Sequence, residues 1–237
     1  MMDLRRQKLR SGPTRRVGRA AVAAAAVVVL LALGACTGAP PEVTRAQTTL
    51  GYVDDLDLNA VYETLTLDVH VQDADGIDDL ETLHVTHDAS GLLWTVTRER
   101  WERRQQAGAE VFTLSALATA DGRPLPRGRY RVIAVDAAGH TAELTTTVAG
   151  AAPGEGRLRF PRLEIRGDTL SVTGGFPLVV VRGYDAGGRL VGELRLSEGE
   201  ERTVSEIGWL RQGDEEVRLV LSAVDPETGL DVQRGPY

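Results

Sequence analysis

Apolar and polar side chains alternate with a period of two along several segments of the chain. In residues 65–71, leucine and valine alternate with threonine, aspartate and histidine. Such alternation is typical of a β-strand that buries one face. The same reasoning predicts further strands at residues 83–87, 92–97, 111–117, 130–135 and 141–148. Short strands separated by turn-forming residues indicate a β-sandwich.

A second set of such segments follows residue 156. It predicts strands at residues 163–165, 170–172, 177–184, 190–196 and 217–221. The sequence Asp-Ala-Gly-Gly at residues 185–188 predicts the tight turn of a hairpin. The best candidate for a helix is the segment 98–106, which allows at most about two or three turns. We therefore predict an all-β chain, with a sandwich followed by a second, smaller β unit.

Proline, glycine and small residues mark the boundaries of these units. Residues 36–48 predict a tether, and residues 150–156 predict a linker. These breaks place the sandwich at residues 49–149 and the second small β domain at residues 157–237.

The end of the first unit carries a recognisable motif. Residues 125–130 read Leu-Pro-Arg-Gly-Arg-Tyr, and residues 136–139 read Asp-Ala-Ala-Gly before a threonine-rich segment. This pattern resembles the last hairpin of bacterial immunoglobulin-like and fibronectin-III-like domains. The resemblance covers roughly residues 50–149 and implies an immunoglobulin-like β-sandwich. It also implies that the hydroxyl of Tyr130 bonds to backbone near the preceding corner. A shared fold says little about function.

The first 35 residues predict a cleaved export signal. Seven basic residues precede an apolar run from Ala20 to Leu33. As a helix, a run of about 14 residues spans roughly 21 Å, which is shorter than the roughly 30 Å hydrocarbon core of a membrane. A basic start, a short apolar run and small residues at its end are typical of a secretory signal peptide.

The apolar run ends in Leu33, Gly34, Ala35 and Cys36, and Cys36 is the single cysteine of the chain. This ending resembles the lipobox of bacterial lipoproteins, in which the cysteine receives a diacylglycerol and becomes the first residue of the mature protein. The resemblance implies that residues 1–35 are a lipoprotein signal peptide. It also implies that Cys36 anchors the protein to a cell-envelope membrane, at the periplasmic face or at the outer membrane and cell surface. The alternative is a buried free cysteine beside an ordinary cleavage site. The whole chain also resembles small envelope lipoproteins of the spirochaete type.

Charge and composition exclude several classes of function. The formal net charge is −7, and loss of the seven basic residues and one acidic residue of the signal peptide makes it −13. Such a surface repels phosphate polyanions, so we expect no nucleic-acid partner. No lysine follows Lys8, which excludes enzymes that depend on a phosphate-binding or Schiff-base lysine. We expect no cofactor.

Histidines and one acidic segment are the candidates for metal binding. His84 and His87 are three residues apart on a predicted strand, so their side chains point to opposite faces and do not chelate one ion. Two interpretations stay open for the acidic segment 73–79. It joins the aspartates of residues 54–57 in an irregular calcium site, or it is a solvated turn between two strands. We expect no metal site from the histidines.

Arginine and tryptophan are concentrated in one segment of this acidic protein. Its members are Arg98, Arg100, Trp101, Arg103 and Arg104. Arginine and tryptophan are favoured at protein interfaces, which predicts a partner-contact loop. The alternative is that Trp101 packs over the end of the sandwich while the arginines pair with Glu99, with Glu102 or with carboxylates elsewhere on the sandwich.

These features predict a lipid-anchored, non-catalytic cell-envelope protein that contacts another envelope protein or acts as a scaffold. A ligand-binding or adhesin-type lipoprotein is the first alternative, and a pocket lined by Trp94, Trp101 or Trp209 would favour it. A glycan hydrolase is the second alternative, and it needs two carboxylates about 5–10 Å apart in a cleft.

The Cys36→Ser substitution tests the lipid anchor. Because serine has no thiol to acylate, we expect the variant to lose all metabolic label from a palmitate analogue. It should remain as uncleaved precursor or leave the membrane fraction. Label that is unchanged in the variant would contradict the lipobox interpretation.

Overall fold

The computed structural model describes residues 39–74, 76–106, 108–150, 157–211 and 217–237, and the chain from Pro40 to Tyr237 is one compact unit. The predicted signal peptide, with its lipobox, and Cys36 lie outside the described residues, as does most of the predicted linker. Within the described part, no helix has the length and apolar character needed to cross a membrane.

The described chain is almost entirely β-structure, which confirms the all-β prediction. The first strands are β1 (Glu42–Asp55), β2 (Ala60–Gln72), β3 (Leu80–His87), β4 (Leu92–Thr97), β5 (Glu102–Gln106), β6 (Ala109–Leu117), β7 (Gly128–Asp136) and β8 (Thr141–Val148). The others are β9 (Arg162–Arg166), β10 (Thr169–Thr173), β11 (Val179–Tyr184), β12 (Leu190–Leu196), β13 (Glu201–Thr203), β14 (Arg218–Val224) and β15 (Asp231–Gly235). Single turns of 3-10 helix lie at Ile77–Asp79, Val204–Glu206 and Gly208–Arg211.

These strands form one large and two smaller sheets. The large sheet has eight strands in the spatial order β12-β11-β14-β15-β1-β2-β6-β5. The smaller sheets have the orders β4-β3-β7-β8 and β13-β10-β9. Neighbouring strands run antiparallel, but β1 and β15 pair in parallel, with Gly51 to Asp55 beside Asp231 to Gly235. The same stretch of β1 pairs with β2 on its other side, so β1 joins the two halves of the sheet.

Both smaller sheets pack on the same face of the large sheet. The registers place Leu65 of β2, Tyr52 of β1, Val232 of β15 and Leu221 of β14 on this face. The four-stranded sheet encloses a first hydrophobic core against β1, β2 and β6. The three-stranded sheet encloses a second core against β11, β14 and β15. In the described part of the chain, neither smaller sheet covers the opposite face, which we call the open face.

The first core contains the tyrosine that the sequence motif singles out. Tyr130 is completely buried, and its hydroxyl donates a hydrogen bond of 2.8 Å to the carbonyl oxygen of Pro126. This is the bond that the resemblance implies. The ring of Trp94 stacks on that of Tyr130 at 6.3 Å, and its indole nitrogen donates to the carbonyl of Ala118 at 3.0 Å. Burial raises the pKa of Tyr130 to about 12.

A tryptophan also closes part of the second core. Trp209 lies over Gly183 of β11 and Gly192 of β12, which face each other across the hairpin. A Cβ atom on either glycine would overlap the indole ring. The two glycines therefore form a flat seat for Trp209, and this explains their presence within strands, where glycine is otherwise unfavourable.

Aspartates fix three of the hairpin turns. Asp136 accepts hydrogen bonds from the backbone and the ring of His140, each at 2.8 Å. Asp185 accepts from backbone amides of its own turn, and Asp225 accepts from the Thr228 hydroxyl at 2.7 Å. Aspartate is suited to this position because its short carboxylate reaches amides two to four residues later. The two turns predicted from Asp-x-x-Gly sequences, at 136–139 and 185–188, are both present.

A buried ion pair lies where the two cores meet. The carboxylate of Glu63 on β2 is almost completely buried and receives two hydrogen bonds from the guanidinium of Arg127, at 2.6 and 2.9 Å. The Tyr52 hydroxyl and the Leu125 amide donate to the same carboxylate at 2.6 and 2.8 Å. Arg127 also donates to the carbonyl of Gly150 at 2.6 Å. Burial alone would raise the pKa of Glu63, but these donors outweigh it and hold the pKa below its usual value.

Two sequence-based predictions of local structure were wrong. The range predicted as a tether, 36–48, includes the first seven residues of β1, because Glu42 to Thr48 pairs with β2 and buries Val43. The helix candidate at 98–106 contains β5, whose alternate side chains face opposite sides of the sheet edge. β15 has a single buried apolar side chain, Val232, and no prediction covered it.

The two-domain division stays a prediction. Each predicted unit contributes most of one hydrophobic core. The large sheet nevertheless continues through both units by way of the β1–β15 pair.

The Glu63→Gln substitution tests the buried ion pair. Glutamine keeps the size but loses the charge that Arg127 needs, and we expect a loss of about 2 kcal/mol in the free energy of unfolding at pH 7. Because the pKa of Glu63 is lowered by folding, this contribution is complete above about pH 4.3 and disappears as pH falls through the folded-state value. Urea unfolding at several pH values measures it.

Glu143→Gln is the matched control, because Glu143 is a half-exposed carboxylate that also pairs with an arginine, Arg131. Exposed pairs contribute little, so its effect should stay below about 1 kcal/mol. Equal losses in the two variants would contradict a special role for Glu63.

Candidate functional site

A groove crosses the middle of the open face. It has a volume of about 450 Å³ and takes residues from β2, β1, β15, β14, β11 and the segment before β11. Its outward-pointing lining is formed by Gly51, Thr64, Thr66, Pro177, Leu178, Val180, Arg182, Ser222, Val224, Asp231 and Gln233. The groove lies on the side of the sheet opposite both hydrophobic cores.

The strand registers place one row of these residues side by side across the groove. Gly51 pairs with Thr64 on one side and with Asp231 on the other, and Asp231 neighbours Val224 of β14. Leu178 continues the row beyond Val224, because Val180 pairs with Ser222. The row therefore changes from apolar at Leu178 and Val224 to polar at Asp231 and Thr64, over about four strand spacings of about 4.8 Å each.

Gly51 makes the floor of the groove. A Cβ atom at this position would lie 3.1 Å from the carbonyl oxygen of Asp231, 3.2 Å from the Thr64 hydroxyl and 3.4 Å from the Asp231 Cβ. Those contacts are tighter than ordinary packing allows. Only glycine leaves open space beside the Asp231 carboxylate here.

Asp231 is the unusual group of the groove. Its carboxylate makes no side-chain hydrogen bond or ion pair among the described residues, although it faces solvent. The surrounding protein still removes part of its hydration, and this burial raises the pKa of Asp231 above its ordinary value. A partly desolvated carboxylate without a partner lowers the stability of the folded protein, and groups with shifted pKa values are concentrated at functional sites.

The arginine of the lining does not compensate Asp231. Arg182 donates to Glu193 at 3.0 Å and to the Ser222 hydroxyl at 3.4 Å. Leu178 and Val224 are both about half exposed, at 48% and 54%, so apolar surface flanks the lone carboxylate.

The predicted partner-contact residues lie at or beside the β5 edge of the large sheet, and most of their side chains are bound to other residues of the chain. Arg103 binds Asp78 at 2.6 Å and Glu110 at 3.1 Å, and Arg104 binds Asp68 at 2.7 Å. Arg98 donates to the carbonyl oxygen of Leu80 at 2.7 Å and to that of Asp78 at 2.5 Å, fixing the turn before β3. Trp101 packs edge-on against Phe112 at 5.2 Å. Arg100 is exposed and makes no side-chain bond in the described structure.

These contacts favour the alternative interpretation of the arginine segment. Arg98, Arg103 and Arg104 bind carboxylates or carbonyls of neighbouring strands and turns, rather than Glu99 or Glu102. The partner-contact role itself stays a prediction.

The tryptophans do not line the groove. Trp94 packs on Tyr130, Trp101 on Phe112 and Trp209 on the glycine seat of the second core. Each therefore has a packing role in a hydrophobic core.

The described residues contain no group of three or more histidine, aspartate or glutamate side chains placed to hold a metal ion. The acidic segment 73–79 follows Gln72, which pairs with Glu42 at the start of β1. The aspartates 54–57 lie at the other end of β1, about 40 Å away at 3.3 Å per residue. The interpretation that the two segments form one calcium site is therefore wrong.

Comparisons with known proteins leave the family of this chain open. No protein-family model matches it, and no curated protein matches. Among solved structures, it is similar to the crystal structure of dimeric latent PorU from Porphyromonas gingivalis, at 15% sequence identity and a TM-score of 0.32. That match covers 84% of this chain and 20% of the other, so the chain spans about a fifth of the length of that protein.

Charge reversal separates the paired from the unpaired arginines. Arg103→Glu places a third carboxylate beside Asp78 and Glu110, so we expect the melting temperature to fall by several degrees at low salt. Arg100→Glu is the control and should leave it unchanged. Differential scanning fluorimetry measures the melting temperature of both variants. Equal melting temperatures would contradict the interpretation that Arg103 is bound to carboxylates and Arg100 is not.

The Asp231→Asn substitution tests the uncompensated carboxylate. Because folding raises the pKa of Asp231, the folded state holds its proton more tightly, and stability falls as pH rises through the folded-state value. Asparagine removes this penalty, so the variant should melt at a higher temperature than the wild type at pH 7 and at the same temperature at pH 3. Glu102→Gln, an exposed carboxylate on β5, should change neither. A variant that is less stable at pH 7 would contradict the analysis.

Proposed function

We propose that this chain is a lipid-anchored, non-catalytic protein of the bacterial cell envelope that binds another envelope protein through its open sheet face. The observation that carries the proposal is an eight-stranded sheet with both smaller sheets on one face and a groove with exposed apolar side chains on the other. The anchor rests on the resemblance of Leu33 to Cys36 to a lipobox.

The size of the open face suits a protein partner. Eight strands about 4.8 Å apart extend roughly 34 Å, and strands of five residues extend roughly 17 Å. The projected area is about 580 Å² before side chains are counted, which is comparable with the roughly 800 Å² that each partner buries in a standard interface. Leu178 and Val224 supply exposed apolar contact within the groove.

The alternatives have less support. A ligand pocket lined by tryptophan would favour a ligand-binding or adhesin-type lipoprotein, but the three tryptophans pack in or against the cores. A glycan hydrolase needs two carboxylates in one cleft, and the lining of the groove contains one, Asp231. A second cleft beside β5 contains Asp78 and Glu110, but both are already bound to Arg103. Protein contact needs neither feature.

Site-specific photocrosslinking in the living cell tests the proposal. A photoreactive amino acid at Thr66, inside the groove, should form one discrete adduct that mass spectrometry identifies as an envelope protein. The same amino acid at Leu93 is the control, because Leu93 is exposed, at 58%, on the four-stranded sheet. We expect no adduct from Leu93.

A second substitution shows whether the adduct depends on the groove. Val224→Glu places a charge on its apolar side and should abolish the adduct from Thr66. Because Val224 pairs directly with Asp231, the two carboxylates repel and the melting temperature should fall by a few degrees, so the crosslinking is carried out well below it, where circular dichroism shows the variant to be folded. An adduct that forms equally from Leu93, or that survives Val224→Glu, would contradict contact through the open face.

A further inference from the structure

We infer that the groove of the open face binds an arginine side chain of the partner protein, with its guanidinium on Asp231 and its aliphatic stem on Val224 and Leu178. This inference rests on the proposed function and specifies the chemistry of that same site.

The first argument is charge. Asp231 is the one carboxylate of the groove lining, and none of the described residues compensates it. The remaining charge of the lining, Arg182, is already paired with Glu193. A cation placed beside Asp231 would restore the interaction that the carboxylate lost with water, and charge-assisted hydrogen bonds are the stronger ones.

The second argument is the set of free acceptors. The Thr64 hydroxyl is 3.2 Å from the position that a Gly51 Cβ would occupy, so it borders the same open space as Asp231. The side chains of Thr64 and Gln233 have no hydrogen-bond partner among the described residues, and both line the groove. A guanidinium has five donors in one plane and can bind several acceptors at once, whereas an ammonium is a compact point charge.

The third argument is the shape of the row across the strands. Val224 lies one strand spacing from Asp231, and Leu178 lies about two, or roughly 10 Å, away. An arginine side chain combines an apolar stem with a charged head, so it matches this change from apolar to acidic surface. The excess negative charge of the protein would also speed the approach of a basic partner.

The test uses n-butylguanidinium as the probe and the full chain in detergent micelles. Backbone amide shifts in NMR spectra should change at Gly51, Thr64 and Asp231 at millimolar probe concentrations. n-Butylammonium should bind more weakly, and butyrate should cause no shift at these positions. Guanidinium without the butyl tail should also bind more weakly, because it leaves Val224 uncovered.

Two variants complete the design. Asp231→Asn should weaken binding of n-butylguanidinium by about tenfold or more, as expected for the loss of a charge-assisted hydrogen bond. Glu102→Gln, on the same face of the sheet but at its β5 edge, should leave it unchanged. Equal binding of butyrate, or undiminished binding to Asp231→Asn, would overturn the inference.

The two proposals fail in different ways. If the Thr66 adduct forms but n-butylguanidinium shows no preference for the groove, then the partner binds without an arginine and the inference is wrong. If no adduct forms from Thr66, then contact through the open face is wrong, whatever the small probe does.

Discussion

The buried carboxylate of Glu63 connects the two hydrophobic cores, because its hydrogen-bond donors come from both. A carboxylate as deeply buried as Glu63 is tolerable only when several donors satisfy it. Here the donors are Tyr52 from the second core, the backbone of Leu125 from the first core, and the side chain of Arg127 just before β7. Each donor must keep its place for the charge to stay buried, so the position of one core constrains the other.

Most strands were predictable because each buries one face against a core, which leaves its period in the sequence. β1 and β15 were not. Within β1 the buried side chains are few and interrupted by Gly51, and β15 buries Val232 alone among its side chains. Backbone pairing with neighbouring strands holds these two strands in place. Their side chains on the open face can be polar, so they leave no regular apolar pattern in the sequence. The prediction of a helix at 98–106 was wrong for a similar reason. All five side chains of β5 are exposed, so its sequence does not show the alternation of apolar and polar residues that marks a strand.

The groove was not predictable because its lining comes from strands that are distant in the sequence. Nothing near Gly51 indicates that Asp231, some 180 residues later, will lie beside it. The arginine segment was visible by composition, but its partners were not, since Asp68 and Asp78 belong to an earlier strand and turn. The backbone bond of the Tyr130 hydroxyl was expected from the resemblance of residues 125–139 to a known hairpin motif, and the structure contains it.

The parallel pair of β1 and β15 also governs the time course of folding. Strands that meet across most of the chain must close a very large loop, and contacts of this kind form slowly. Until residues 231–235 are in place, one edge of β1 and one edge of β14 lack a neighbouring strand. Unpaired edges of this kind attract other chains. A chaperone that shields them would therefore act in the interval between the formation of the first core and the arrival of β15.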